Sequence, residues 1–239
     1  MNVGRFLVEF EQAFPASVRL RATWRYQWEI FRRRLDPCAD VDGFTALKNQ
    51  RLLNLAAGQL PPGEAYLEVG VWKGKTLISA LLGNTHVIAY ACDNFSQFGH
   101  DNEHELRDNL DRYALADRVT LLNQDFRSAL TPAHVRHPVG VYFNDGAHDF
   151  QSQFDGIRLA EPLLASEALV IVDDWTASDA SFCARAATLE AIRESPHEWV
   201  LLQELPARMN GDRAKWWNGV GILSFRRKPF IGINGEAKV

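Results

Sequence analysis

The chain has 239 residues, 46% of them hydrophobic and 23% charged, which is ordinary globular usage and too apolar for disorder. Its 30 acidic and 26 basic residues leave a net charge of -4, so no whole-chain basic footprint for nucleic acid exists. No apolar run approaches the roughly 20 residues that span a bilayer, and Glu9 and Glu11 interrupt the stretch where a secretion signal would need unbroken apolar residues. Cys38, Cys92 and Cys183 are widely spaced and form no CxxC, so neither a disulfide framework nor a zinc ribbon is indicated and a cytoplasmic setting is expected.

Residues 1–60 read as a mainly helical extension rich in arginine and aromatics. Trp24, Trp28 and Phe31 recur at helical spacing, followed by Arg32, Arg33 and Arg34. This extension is expected to pack on the main domain with solvated arginines, or else to serve as a lid, a homodimer arm or a site for an anionic partner. A helix over Phe44–Leu60 ends at Pro61-Pro62-Gly63. From Ala65 short apolar runs alternate with amphipathic segments, the pattern of an α/β fold with a mostly parallel sheet. Strands are expected at Ala65–Val69, His86–Cys92, Arg118–Asn123, Val139–Phe143 and Ala168–Val172. Phe150, Phe154, Ile157 and Leu164 predict one face of a helix over Phe150–Leu164, and a further helix covers Asp179–Glu194. The last runs, Trp199–Leu205 and Gly219–Arg226, have no helix between them and predict a terminal antiparallel hairpin. The division is 1–60 extension, 61–229 main domain and 230–239 tail.

Glu68-Val-Gly70-Val-Trp72-Lys-Gly74-Lys75-Thr76 follows the first strand and opens a helix. Ligands bind at such carboxyl ends in open α/β sheets, and glycine lets the backbone approach them. A dinucleotide fingerprint needs GxGxxG and fails here. A phosphate loop needs GxxxxGK[ST]; Gly74-Lys75-Thr76 supplies its end, but Gly70 comes one residue too late. An ATPase using Gly74-Lys75-Thr76 with Asp173-Asp174 is nonetheless compatible with these residues.

Further acids fall at successive strand ends: Asp93, Asp125 beside Phe126, Asp145 after Asn144, and Asp173-Asp174. Any single one has the plainer reading of a helix cap or a surface charge. Asp145, Asp173 and Asp174 would converge on one crevice, repel one another, and suit a hard divalent cation such as magnesium. His148 sits three residues after Asp145, where it is either a base near neutrality or a structural hydrogen-bond partner. His100, His104, His134 and His137 form no metal set and are expected at the surface.

The Glu68-x-Gly70-x-x-x-Gly74 loop resembles the glycine motif of class I S-adenosylmethionine-dependent methyltransferases. The Asp145-Gly-x-His148 and Val172-Asp173-Asp174-Trp175 wording resembles magnesium-dependent O-methyltransferases, closest to a bacterial macrocin-type sugar O-methyltransferase group, over roughly Leu53–Arg226. The resemblance implies a Rossmann-like, doubly wound sheet of seven strands. It implies S-adenosylmethionine on Glu68, Gly70, Trp72, Gly74, Thr76, Asp93, Asn94, Asp125, Phe126 and Asn144. Asp93 would take the ribose hydroxyls and Asp125 with Phe126 the adenine. Magnesium would sit on Asp145, Asp173 and Asp174, and His148 replaces the lysine that catechol-type relatives carry at that position.

The expected reaction is methyl transfer to a hydroxyl of a small molecule, a sugar, polyketide glycoside or phenolic. The acceptor would be chosen by the N-terminal helices, Phe95–His104 and Ala207–Asn218 with Trp216-Trp217. Expected partners are this acceptor and no nucleic acid or membrane. Two further readings stay open at the level of sequence: a non-catalytic binding subunit, and another reaction on the same fold, as in cephalosporin hydroxylase-like relatives.

Overall fold

Seven strands form a single sheet in the order β3-β2-β1-β4-β5-β7-β6 in the computed structural model, which describes residues 1–15, 38–178 and 181–229. At its centre β1 (Ala65–Val69) pairs in parallel with β2 (Ile88–Asp93) on one side and β4 (Val139–Asn144) on the other. β3 (Val119–Asn123) lies beyond β2, and β5 (Leu164–Val172) beyond β4, both parallel. β6 (Glu198–Leu205) and β7 (Val220–Arg226) form the expected antiparallel pair, with β7 inserted between β5 and β6. β1 and β4 are buried along their whole length, as parallel strands covered on both faces must be. The chain winds outward through β2 and β3, then returns to β4, so the order reverses between β1 and β4. That switch point opens a crevice at the strands' carboxyl ends.

Helices cover both faces. α1 (Val3–Ala13), α2 (Leu47–Gly58), α3 (Lys75–Leu81) and α4 (Asn102–Arg112) put Phe6, Leu53, Leu77 and Leu106 into one hydrophobic cluster with Tyr66, Val141 and Ile171 of the sheet. α6 (Phe150–Ala160) and α7 (Ala184–Arg193) pack Ile157 and Ala191 against Leu67, Tyr142 and Val170 on the opposite face, beside short α5 (Phe126–Ala129). The N-terminal helices that are described thus share the core of the sheet. The Trp24, Trp28 and Phe31 stripe, the three arginines and the 230–239 tail lie outside the described residues.

Several boundaries differ from the sequence expectation. α6 stops at Ala160 because Pro162 enters the tight turn Glu161–Leu163, where an α-helix is sterically disfavoured. Leu164 therefore opens β5 instead of continuing the helical face, and Phe150 is exposed, stacked only on Phe154. His86 lies before β2, its ring nitrogen bonded to the Leu60 carbonyl at 3.0 Å. α2 begins at Leu47, which leaves Phe44 in the preceding loop, and α7 begins only at Ala184. His137 is half-buried and bonded to the Tyr90 hydroxyl at 2.7 Å, so it is not a surface residue.

Gly70 joins β1 to the crevice. Its φ is +88°, and a Cβ there would lie 1.9 Å from the Asp145 carbonyl oxygen. Glycine is required on both counts. Gly70→Ala is expected to lower unfolding free energy by about 2 kcal/mol or more, read by denaturant titration. A loss within about 0.5 kcal/mol, the range of ordinary surface changes, would contradict this close approach.

Candidate active site

Two clefts meet at the carboxyl ends of β1, β4 and β5. The first runs over the ends of β1, β2 and β3 and is lined by Gly70, Trp72, Asp93, Asn94, Asp125 and Phe126. The second is lined by Phe44, Trp72, Thr76, Asp173, Asp174 and Trp217 among others. Asp145 and His148 line both, so they stand where the two clefts join.

Local structure fixes each acid of the first cleft. The Asp93 carboxylate accepts the Trp72 and Phe95 backbone N–H groups, each at 2.8 Å, which ties the glycine loop to the end of β2. A carboxylate has about four acceptor sites, so two remain for a ligand. Asp125 caps α5 by accepting from the Arg127 N–H at 2.8 Å and also faces the cleft, so the cap role and the cleft position coexist. The Arg127 guanidinium lies 4.6 Å from the Phe126 ring centroid.

Glu68, Gly74 and Asn144 do not line either cleft. Glu68 is fully buried, and its two oxygens accept the Tyr66 and Thr76 hydroxyls, each at 2.6 Å. It locks β1 to α3 behind the glycine loop. Burial pushes its carboxyl up to about 7, with the Asp93 charge adding to the effect and the two hydroxyls opposing it. Gly74, at φ +87°, lets α3 start against Leu106, whose Cδ1 would be 2.5 Å from a Cβ. Asn144 bonds Tyr142 and Gln153 inside the protein. Lys75 donates to the Val41 carbonyl. With Thr76 committed to Glu68 and Lys75 to Val41, neither residue is aimed as a phosphate loop requires.

The carboxylate cluster is the centre of the site. Asp145, Asp173 and Asp174 each offer an oxygen, and these atoms all lie within 4.8 Å of one another. Backbone bonds set their spacing: Asp145 N–H donates to Val69 O at 2.9 Å, and Asp173 N–H to Asn144 O at 3.1 Å. Burial, and then their mutual repulsion, push Asp145 and Asp173 well above the usual carboxylate range. Asp174 has φ +56°, strained for a residue with a Cβ.

Three partners hold the cluster in place. Asn49 of α2 donates to Asp173 at 3.2 Å, and Asn218, before β7, donates to Asp174 at 2.7 Å. His148 Nε2 lies 2.9 Å from Asp174, and its ring stacks on Phe182 at 4.2 Å. The carboxylate partner of His148 is therefore Asp174 of the next strand end, and not the Asp145 that shares its sequence motif. Asn49 and Asn218 carry no sequence signal of their own, because an asparagine in a helix or loop has many ordinary uses.

Residues 67–175 match the family described as "Methyltransferase domain". Its mostly parallel seven-stranded sheet with antiparallel last strands is the Rossmann-like α/β fold seen in methyltransferases. It is similar to cofactor-bound Rv0187 from MTB, at 19% identity and TM-score 0.59 over 95% of this chain and 96% of that one. It is similar to an O-methyltransferase from Bacillus cereus solved in complex with SAH, at 17% identity and TM-score 0.56 over 83% and 91%. It is also similar to a Staphylococcus aureus protein assigned as a caffeoyl-CoA O-methyltransferase, at 14% identity and TM-score 0.56 over 93% and 98%. No curated protein matches the chain. Among the described residues no helix is long and apolar enough to cross a membrane.

Glu68 gives the fold a pH signature. A carboxyl raised from about 4.5 to about 7 on folding binds its proton more tightly in the folded state. Stability is then full below about 4.5 and falls as pH rises through about 7, by about 3 kcal/mol. Denaturant melts across that window should show a steeper decline in the wild type than in Glu68→Gln. Equal slopes would contradict the assignment.

Proposed function

We propose that the chain transfers a methyl group from S-adenosylmethionine to a hydroxyl oxygen of a small molecule, with magnesium bound by Asp145, Asp173 and Asp174. The observation that carries this reading is the trio of carboxylate oxygens within 4.8 Å at the junction of the two clefts. Like charges so close in a partly desolvated site favour a cation between them, and all-oxygen donors suit a hard divalent ion. The Asn49 Oδ1 beside them is buried with no partner among the described residues, as expected where an ion or its water completes the site.

The cofactor brings an activated methyl group on its sulfonium, so positioning is the protein's main task. Gly70 brings the backbone close, Asp93 keeps two acceptor sites for ribose hydroxyls, and Asp125 and Phe126 bound the far end of the first cleft for the adenine. A bound magnesium ion supplies Lewis acidity toward an acceptor hydroxyl. His148 lines both clefts with Nε2 2.9 Å from Asp174, which leaves Nδ1 as the ring nitrogen to take up the hydroxyl proton. Of the proposed cofactor set, Gly70, Trp72, Asp93, Asn94, Asp125 and Phe126 line the first cleft, whereas Thr76 lines the second with its hydroxyl on Glu68. Glu68, Gly74 and Asn144 act from behind by shaping the loop and strand ends.

Isothermal titration calorimetry with S-adenosylhomocysteine and magnesium tests this. Both should bind the wild type. Asp173→Asn should weaken magnesium, and Asn49→Ala, which removes the amide on Asp173, should weaken it about tenfold, with S-adenosylhomocysteine affinity kept. Because Asp145 and Asp173, both raised above the usual carboxylate range by burial, must release protons to act as ligands, magnesium affinity should rise with pH. Absence of S-adenosylhomocysteine binding would overturn the cofactor reading. Unchanged magnesium affinity in Asp173→Asn would overturn the metal site.

A further inference from the structure

Arg127 stands on α5 at the far end of the first cleft, beside but outside the proposed cofactor set. Its guanidinium is held from three directions. Nε donates to Asp155 at 2.8 Å, Nη2 donates to Ser152 Oγ at 3.2 Å, and the group lies 4.6 Å from the Phe126 ring centroid. Asp155 is fixed in turn by the Gln151 amide at 2.7 Å. A guanidinium is planar with its donors in a rigid fork, so two bonded nitrogens set the direction of the third.

A bridge between α5 and α6 needs only those two nitrogens. Nη1 has no hydrogen-bond acceptor among the described residues; Asp125 Oδ2 lies 3.9 Å from it, beyond hydrogen-bond reach. Asp125 is half used in the same way. Its Oδ1 accepts the Arg127 N–H at 2.8 Å, while Oδ2 takes no hydrogen bond from a described residue. Both side chains line the first cleft and stay close to half exposed, so a ligand there reaches them.

An uncommitted donor and an uncommitted acceptor therefore stand side by side in one wall. Arginine only donates and an ionised carboxylate only accepts, so the pair fits a ligand edge that places a donor next to an acceptor. Adenine has such an edge: its N6 amine donates and its ring nitrogen N1 accepts. Hypoxanthine inverts that edge, with a carbonyl at position 6 and a hydrogen on N1. Asp125 would then meet a lone pair, and Arg127 would meet a hydrogen that it cannot accept. Sites whose polar groups are left unpaired by the wrong ligand discriminate strongly against it.

We infer that Arg127 is a specificity-determining residue for the base of the bound nucleoside. Its Nη1 donates to the adenine ring nitrogen while Asp125 Oδ2 accepts from the amine, and Asp155 is the positioning residue that aims the guanidinium. This rests on the cofactor reading of the first cleft and adds a second reader of the base to it. A lone carboxylate responds only to the amine. The pair responds to the amine and the ring nitrogen together, so Arg127 contributes a share of the preference that Asp125 does not supply.

Calorimetry of the full chain with S-adenosylhomocysteine, and by competition with S-inosylhomocysteine, its hypoxanthine counterpart, tests the inference. The wild type should prefer the adenine ligand by about a hundredfold, the loss expected for two mismatched hydrogen bonds. Arg127→Ala should weaken S-adenosylhomocysteine about tenfold and leave the inosyl ligand nearly unchanged, so the preference falls about tenfold. Binding of the inosyl ligand at wild-type strength shows that this variant is folded. Asp155→Asn, which loosens the anchor from outside the cleft lining, should lower the preference by a smaller factor. A preference kept in Arg127→Ala, or both ligands weakened equally, would leave Arg127 a structural bridge and overturn the inference, as would a wild type without preference. Failure of the wild type to bind S-adenosylhomocysteine at all removes the cofactor reading instead.

Discussion

Three carboxylates held within 4.8 Å of one another, two of them buried and Asp145 half-buried where two clefts join, set the terms for the rest of this structure. Left alone they would repel and spread, or take up protons. The fold resists the first outcome by anchoring each acid through the backbone of a buried strand end. Asp145 follows β4 and bonds to β1, and Asp173 follows β5 and bonds to β4. The sheet thus fixes the acids to its own spacing. Asn49, Asn218 and His148 then direct individual oxygens from three separate segments. Among the described residues no lysine or arginine pairs with these acids at hydrogen-bond distance, which is why a cation is the natural completion.

The same geometry couples the first cleft to the acid cluster. Gly70 opens the glycine loop, and its missing side chain lets the Asp145 carbonyl approach. Behind it, the Glu68 carboxylate ties Tyr66 of β1 to Thr76 of α3. In front, Asp93 gathers the Trp72 amide onto β2. The loop is therefore fixed from three sides. Trp72 belongs to both clefts, so a change on one side of its ring is felt on the other.

Much of this was legible in the sequence, for physical reasons. Parallel strands buried on both faces produce apolar runs such as Leu169–Val172, and these mark the sheet clearly. Acids at the ends of such runs stand out because a carboxylate at the edge of a buried strand needs a partner or a ligand. Pro162 carried the information that α6 must end, yet the helical spacing of Ile157 and Leu164 outweighed it. Glu68, Gly74 and Asn144 have the residue types of the cofactor set but lie behind the cleft, and only the path of the side chains reveals that. The Trp216-Trp217 pair stood out as aromatic, but which ring packs inward depends on the tertiary fold. Asn49 and Phe44 were not legible as site residues. Their position depends on a helix and a loop folding over the crevice, and no local period or spacing encodes that convergence.

The proposed function requires one site to hold both a nucleoside over β1–β3 and a divalent ion at the ends of β4 and β5. A crystal structure with S-adenosylhomocysteine and manganese, with anomalous data at the manganese edge, tests it most directly. The expected result is an anomalous peak bonded to oxygens of Asp145, Asp173 and Asp174, and nucleoside density between Gly70 and Phe126. A metal bound elsewhere, or a nucleoside absent from that cleft, would contradict it.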